Sequence, residues 1–501
     1  MSYIHDQAMN YVYQQVLQRL LGYFDRAERT ALQLLIQRLI VAAGGIEQIG
    51  SFKVLVPFSG GNDSAYTLSF LRAAQLSIAC RAPHSFNLRI ANMRHAGVTP
   101  AVMDNIHRCY SALFLHDDPR VELLVVDGQY IQLFERDLPF SQAGREQNRS
   151  DMLLSGHLSA TDGQMAFCNS CYLGMAEFLG RAACWNDGVD AVLNGESLKE
   201  QTHYANWISH FAQRTGQPDV DWKRQTFSSV LKTADNISRA YYRELYGEDL
   251  QTASFMARPL GYPQKAIVPT VLSITDLIDC RVEDHWAMLT EFLGFRYDDL
   301  AFSFSESECA NPLLMAHIRG LKAEFLQGRE YALGINEYLT LAKTLMRRKR
   351  MPRRLIDQAM GAYDDEEKLQ ERRALATHFA QDAYGLSEGQ LVCLLFAPFV
   401  DAGAGLEPFL RRCHPGMLVA LGDLHRALAG GAAPEQVVQW LVETSGLSLK
   451  NLQNLYSKQR DAISPDASIT STHGIEEADL SPSQTQEPEA GASVGKAISG
   501  R

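Results

Sequence analysis

The chain has 501 residues, of which 46% are hydrophobic and 21% charged, and a formal net charge of −11 at pH 7. That length exceeds one simple core and predicts two or three domains of a soluble globular protein. The acidic balance excludes a surface that is basic throughout, so nucleic acid would need a local patch, and no apolar run approaches the roughly 20 residues that span a bilayer. The start, Met1-Ser2-Tyr3-Ile4-His5-Asp6, lacks the pattern of a secretory signal. Nine cysteines, an odd and scattered set, fit a reducing cytoplasm better than a disulfide framework.

Residues 8–43 carry apolar positions such as Val12, Val16, Leu20, Leu32, Leu35, Ile36 and Leu39 at three- and four-residue steps. This spacing predicts two amphipathic helices, joined near Gly22 to Arg26 and stopped by Gly44-Gly45. The hairpin, residues 1–47, reads as a packing appendage. The run Val54-Leu55-Val56 then suits a strand covered on both faces. It leads into Ser59-Gly60-Gly61-Asn62-Asp63-Ser64 and a helix from Ala65 to Gln75. The two glycines let backbone amides approach a bound group closely. Asp63 and Ser64 are expected at the N-cap, so that the positive end of the helix dipole faces the loop. Such a geometry favours an anion, most often a phosphate.

Further strands are expected at Phe86–Met93, Val121–Asp127 and Ala191–Asn194, with a helix over Thr99–Phe114. Strand alternating with helix implies a parallel sheet with right-handed crossovers. Ligands of such sheets sit beyond the carboxyl ends of the strands, so the first loop and the Asn194-Gly195-Glu196 turn should meet at one site. Aromatics between residues 200 and 255, among them Tyr204, Trp207, Phe211, Trp222, Tyr241, Tyr242 and Tyr246, could line a helical lid, though at helical spacing core is the commoner role. Residues 311–462 read as wholly helical, and the polar segment 463–501 reads as a disordered tail.

The six residues Ser59–Ser64 resemble the S-G-G-x-D-S loop of the PP-loop (N-type) ATP pyrophosphatase superfamily, the adenine nucleotide alpha-hydrolase-like proteins. The resemblance covers roughly residues 50–312. It implies an α/β fold with a parallel doubly wound, Rossmann-like HUP-type sheet over residues 48–310; the residues themselves add a helical insertion near 200–255, a helical hairpin before the sheet and an all-helical domain after it. It also implies cleavage of ATP to AMP and pyrophosphate, with the adenylate activating a carbonyl or carboxylate oxygen. Ser59, Gly60, Gly61, Asn62 and Ser64 would then cradle the phosphates, Asp63 would help hold Mg²⁺, and Gly195 would close the site. Glu196 and Lys199 are candidates for substrate contact, or simply charges at a helix start.

Cys168-Asn169-Ser170-Cys171 is expected just before a helix that runs to Cys184. Two such thiols can share a metal or a cluster, act as a redox pair, or pack as small apolar residues. Their position, and Arg258-Pro259-Leu260 downstream, resemble the PP-loop sulfurtransferases that thiolate tRNA. There, two cysteines and a third hold a [4Fe–4S] cluster; Cys309, which we prefer, and Cys280 are the candidates for the third ligand, with Zn²⁺ as the alternative occupant. Two stretches depart from that pattern, Tyr172 to Glu177 in place of a basic run and Gly195 to Glu200 in place of G-H-x-x-D-D. Cys168-x-x-Cys171-x-x-Gly174 is also similar to the N-acetyl sugar amidotransferases, which pass ammonia to an activated sugar carbonyl. A third relative, the enzyme that makes the 7-cyano-7-deazaguanine precursor of queuosine, has a cysteine cluster near its C-terminus that this chain lacks. The acceptor is therefore left open between tRNA and a small molecule, and the donor between a sulfur- and an ammonia-delivering protein. A non-catalytic nucleotide-binding subunit of a larger assembly is the third reading. Finally, seven Lys and Arg fall within residues 343–354. They are either a phosphate contact for RNA or a nucleotide sugar, or the solvated end of a helix.

Overall fold

Val54, Leu55 and Val56 are fully buried, at the middle of a sheet. The computed structural model describes residues 3–159, 163–196, 198–218, 226–247, 269–278, 285–297 and 311–460. Two helices, α1 (Tyr3–Tyr23) and α2 (Arg26–Ala42), precede β1 (Lys53–Pro57) and α3 (Asn62–Ala79). Then follow β2 (Asn87–Met93), α4 (Pro100–Ala112), β3 (Val121–Asp127), β4 (Tyr130–Leu133), α5 (Gln142–Ser159), α6 (Gly163–Cys184) and β5 (Ala191–Asn194). The helices α7 (Leu198–Arg214) and α8 (Phe227–Tyr246) lead to β6 (Thr270–Ser273). Beyond them lie α9 (Pro312–Leu321), α10 (Tyr331–Arg348), α11 (Arg353–Gly361), α12 (Glu366–Tyr384), α13 (Glu388–Phe396), α14 (Leu406–Cys413), α15 (Leu421–Leu428), α16 (Glu435–Ser445) and α17 (Leu449–Tyr456).

The fold is α/β. The described strands form one six-stranded sheet in the order β4-β3-β2-β1-β5-β6. All pairings are parallel except β3 with β4, a hairpin at the edge. The sheet is therefore mixed where a parallel one was expected, because a two-residue turn at Gly128-Gln129 can return the chain only antiparallel. The chain winds outward from β1 to one edge and then restarts on the other side of β1 with β5. Leu55, Ala91, Leu124 and Val192 of the sheet pack with Phe178, Ala182 and Ala183 of α6. Strand alternation turns Val54 and Val56 to the opposite face.

The N-terminal hairpin grips the helix that follows β1. Glu28, buried and part of a capping box with Asp25, accepts a hydrogen bond from the Tyr66 hydroxyl of α3 at 2.7 Å. His285 stacks on Tyr66 at 3.8 Å and lies 3.3 Å from the same carboxylate. The helices from Pro312 onward pack on α5, α6 and α8. Arg149 of α5 donates to the carbonyls of Gly385 and Gly446, which end α12 and α16, and Asn454 of α17 donates to the carbonyls of Glu244 and Leu245. In the 200–255 region, Trp207, Phe211, Tyr241, Tyr242 and Tyr246 are buried, as core rather than lid, and Tyr204 is half-buried. Trp222 lies outside the described residues.

Asp151 is buried between α5 and α8, where it accepts hydrogen bonds from Tyr246 at 2.5 Å, Gln147 at 2.9 Å and Tyr242 at 3.2 Å. Burial outweighs these donors and pushes its carboxyl up from 3.8 to about 6. The folded state therefore holds this proton more tightly, and the stability Asp151 contributes is full below about pH 4 and lost as pH rises through about 6. Asp151→Asn keeps the shape and removes the charge. Denaturant melts should show the variant gaining on the wild type by on the order of 2–3 kcal/mol from pH 4 to pH 7; a constant difference would contradict the assignment.

Candidate functional site

Gly60 lies at φ +87°, a conformation open to glycine at little cost. A Cβ there would also meet Ile106 of α4 at 2.8 Å and Val102 at 3.0 Å. The loop therefore needs glycine for two separate reasons. Gly61, in extended conformation, is the N-cap of α3, and no side chain caps that helix. Asp63 and Ser64 were expected at the cap but lie inside the first turn. The serines explain the shift. The Ser59 hydroxyl accepts from the Gly61 amide at 3.1 Å, the Ser64 hydroxyl donates to the Gly61 carbonyl at 3.0 Å, and the two hydroxyls are 3.0 Å apart. This ring fixes Gly61 as the cap, so that the helix begins at Asn62. It leaves the helix end a cradle of amides and hydroxyls with Asp63 in the first turn, a donor set that suits phosphate and an accompanying Mg²⁺.

The loop is held from below by β2. The Phe58 amide donates to the Ala91 carbonyl at 2.9 Å. Buried Asn92 donates to the Phe58 carbonyl at 2.6 Å and accepts from the Tyr110 hydroxyl of α4 at 2.6 Å. On the other side, β5 pairs with β1 and brings Gly195 against α3. A Cβ at Gly195 would lie 2.3 Å from the Thr67 hydroxyl and 2.5 Å from its methyl. The turn after β5 thus packs on α3 at Thr67, one turn beyond the first loop. Asn194 accepts from the Glu196 amide at 2.9 Å, and Gln201 of α7 donates to the Glu196 carbonyl at 2.7 Å, so exposed Glu196 is set at the rim. Lys199 falls in the first turn of α7, and its side chain lies outside the described residues.

Cys168 and Cys171 do not precede a helix; both lie within α6, one turn apart. Cys168 is 1% exposed and Cys171 half-buried. Between them, Asn169 accepts from the Trp207 indole at 3.1 Å, and Tyr172 packs on Trp207 at 4.7 Å. Tyr204 of α7 lies near both Glu196 and Cys171: burial first, then the nearby Glu196 and Cys171 charges, raise its phenol. Tyr204 thus stands between Cys171 and Glu196, while Cys168 is buried in α6. Among the described residues, no three His, Cys, Asp or Glu side chains converge as a metal site. Cys280, Cys309 and Arg258-Pro259-Leu260 lie outside the described residues. Cys109 and Cys393 are buried, and burial pushes the Cys184 thiol up to about 11. A packing role fits all three.

Three residues at the sheet's carboxyl edge were not singled out from sequence. Arg94 follows β2, buried, with its guanidinium bonded to the Val98 carbonyl and near Asp127 at the end of β3. Burial, and then the Arg94 charge, lower His95 to about 4, so the ring is neutral at pH 7. Its Nδ1 accepts from the Gly97 amide at 3.1 Å, which places the proton on Nε2. Asp127 accepts from the Ser141 amide at 3.0 Å. The strand-end rule, applied to the two strands expected from sequence, would have found them. Tyr297 is different: its hydroxyl donates to the Asn62 side chain at 2.7 Å from 235 residues away, with no local signal.

Compared with known proteins, the chain matches no family model, no curated protein and no solved structure.

Gly195→Ala should destabilise the protein by roughly 1–3 kcal/mol through the overlap with Thr67. Adding Thr67→Ala should recover most of that loss in denaturation midpoints. Equal instability of the single and double variants would mean that another neighbour excludes the side chain.

Proposed function

We propose that the protein binds ATP at the Ser59–Ser64 loop and splits it to AMP and pyrophosphate, adenylating an acceptor oxygen for displacement by sulfur or nitrogen. The fold assigned with this reading is the Rossmann-like HUP type. The observation that carries it is the cradle at the strand-to-helix junction: Gly60 in a glycine conformation, Gly61 as an N-cap with no side-chain cap, and the Ser59 and Ser64 hydroxyls ringed around it. It opens beside the point where the strand order reverses, the position at which open α/β sheets take ligands.

In this reading the first-turn amides and the two hydroxyls hold the phosphates, and the acceptor oxygen attacks the α-phosphate as pyrophosphate leaves. Mg²⁺, with Asp63 as its protein carboxylate, supplies charge neutralisation on the departing oxygens. Neutral His95 stands at the same edge, and Glu196 and Lys199 stand at the mouth for the acceptor. Cys168 and Cys171 supply two of the thiols that a [4Fe–4S] cluster or Zn²⁺ requires, with Cys309 or Cys280 to complete the set; sulfur transfer is the reading we prefer. Burial of Cys168 within α6 favours a second one, in which the pair is packing and ammonia is the nucleophile.

Calorimetry with Mg·ATP should give binding to the wild type that Asp63→Ala and Ser59→Ala each weaken about tenfold or more, or ~1.4 kcal/mol. No binding, or equal binding by all three, ends the proposal. Anaerobically purified protein should carry iron and sulfide, with a visible spectrum lost in Cys168→Ala and Cys171→Ala. A colourless preparation that consumes ammonia with pyrophosphate release selects the second reading.

A further inference from the structure

The cations of residues 343–354 gather at the turn between α10 and α11. Helix stability accounts for only part of the group. Arg347 and Arg348 occupy the last turn of α10, where a cation is favoured by the helix dipole. Arg353 and Arg354 open α11, where the dipole disfavours them and an acid would be expected. Both are exposed, and the ion pair of Arg353 with Asp357 is long, at 3.6 Å, between groups 94% and 68% exposed. Something other than the fold calls for positive charge there.

The turn is also tied to the candidate ATP loop. Trp286 donates to the Lys349 carbonyl at 2.8 Å, and Gln358 of α11 donates to the Tyr297 carbonyl at 3.1 Å. Tyr297 in turn bonds Asn62, so a single residue separates α11 from the loop. Met346, Met351 and Leu355, apolar residues of the turn, face inward and are buried. Among the described residues of the turn no large apolar side chain is fully exposed, Leu345 and Ile356 being half-buried, which disfavours an amphipathic peptide or a membrane. Arginine predominates in the run, and its planar fork suits phosphate oxygens. Arg347, Arg348, Arg350, Arg353 and Arg354 are exposed, which fits an extended chain of phosphates better than one enclosed small molecule.

We infer that the α10–α11 turn docks the phosphate backbone of a single-stranded RNA, delivering it toward the loop as acceptor. The role as acceptor rests on the ATP reading; the docking does not. The test uses the full chain, a fluorescently labelled single-stranded RNA of mixed sequence, and the variant Arg353→Glu/Arg354→Glu. Wild type should bind with strong salt dependence. The variant should bind about tenfold more weakly or worse, with a log–log salt slope shallower by roughly 1.4. Its melting temperature should be unchanged or higher, because the reversed charges suit a helix start, and its Mg·ATP affinity should be retained. Equal RNA binding by variant and wild type, competition by polyglutamate as effective as by unlabelled RNA, or binding of a nucleotide sugar alone each overturns the inference. RNA binding that the variant loses, in a protein that fails to bind ATP, would leave the docking surface standing and remove the adenylation reading.

Discussion

Strand β1 is buried on both faces, and its chain leaves the sheet through a gap that admits no side chain. Ile106 and Val102 close over Gly60, and the backbone there takes a left-handed turn. Because the exit is so tight, α3 starts at once, its first amides turned toward the opening. The strand order adds the second constraint. With β2 on one side of β1 and β5 on the other, the chain diverges at this place, and Gly195 must come up against Thr67. The close packing around this helix N-terminus is thus a consequence of how the sheet is wound, and the serine ring refines it.

What surrounds the loop holds α3 from several sides. On one flank the N-terminal hairpin inserts a buried carboxylate, Glu28, against Tyr66, with His285 stacked over the same ring. On another, Asn92 and Tyr110 hold the Phe58 carbonyl at the base of the loop. On a third, Tyr297 reaches Asn62, and its neighbour Arg296 is fixed to Asn105 of α4 through both backbone groups. Loops that handle phosphate need donors fixed before the ligand arrives, since reorganisation subtracts from binding. The hairpin, read from sequence as packing without chemistry, clamps the helix on which the proposed phosphate site rests.

The charge distribution follows the same division between scaffold and surface. Inside, two fully buried cations have carboxylate partners: Arg72 with Asp118 and Arg89 with Glu122. Such pairs hold geometry more than they add stability. At the α10–α11 turn the pattern breaks, with arginines on the surface at a helix start that electrostatics alone would leave acidic.

Local signals carried the sequence reading where they were strong. The apolar triplet Val54–Val56, the glycine pair and the following apolar period determined β1, the loop and α3, because strand, turn and helix preferences act over a few neighbours. The strand-end turn at Asn194-Gly195 was legible for the same reason. Elements with weak patterns were not: β4 and β6 are four-residue edge strands, largely exposed, and half of α5 is polar. The cap at Gly61 was misplaced by two residues because the Ser59–Ser64 hydroxyl ring competes with the usual Asp cap. The placement of Cys168 and Cys171 inside α6, the neutral state of His95 and the bond from Tyr297 to Asn62 were decided only in three dimensions. Each depends on burial or on a partner far along the chain, and a sequence records neither the distance nor the loss of water that gives such contacts their energy.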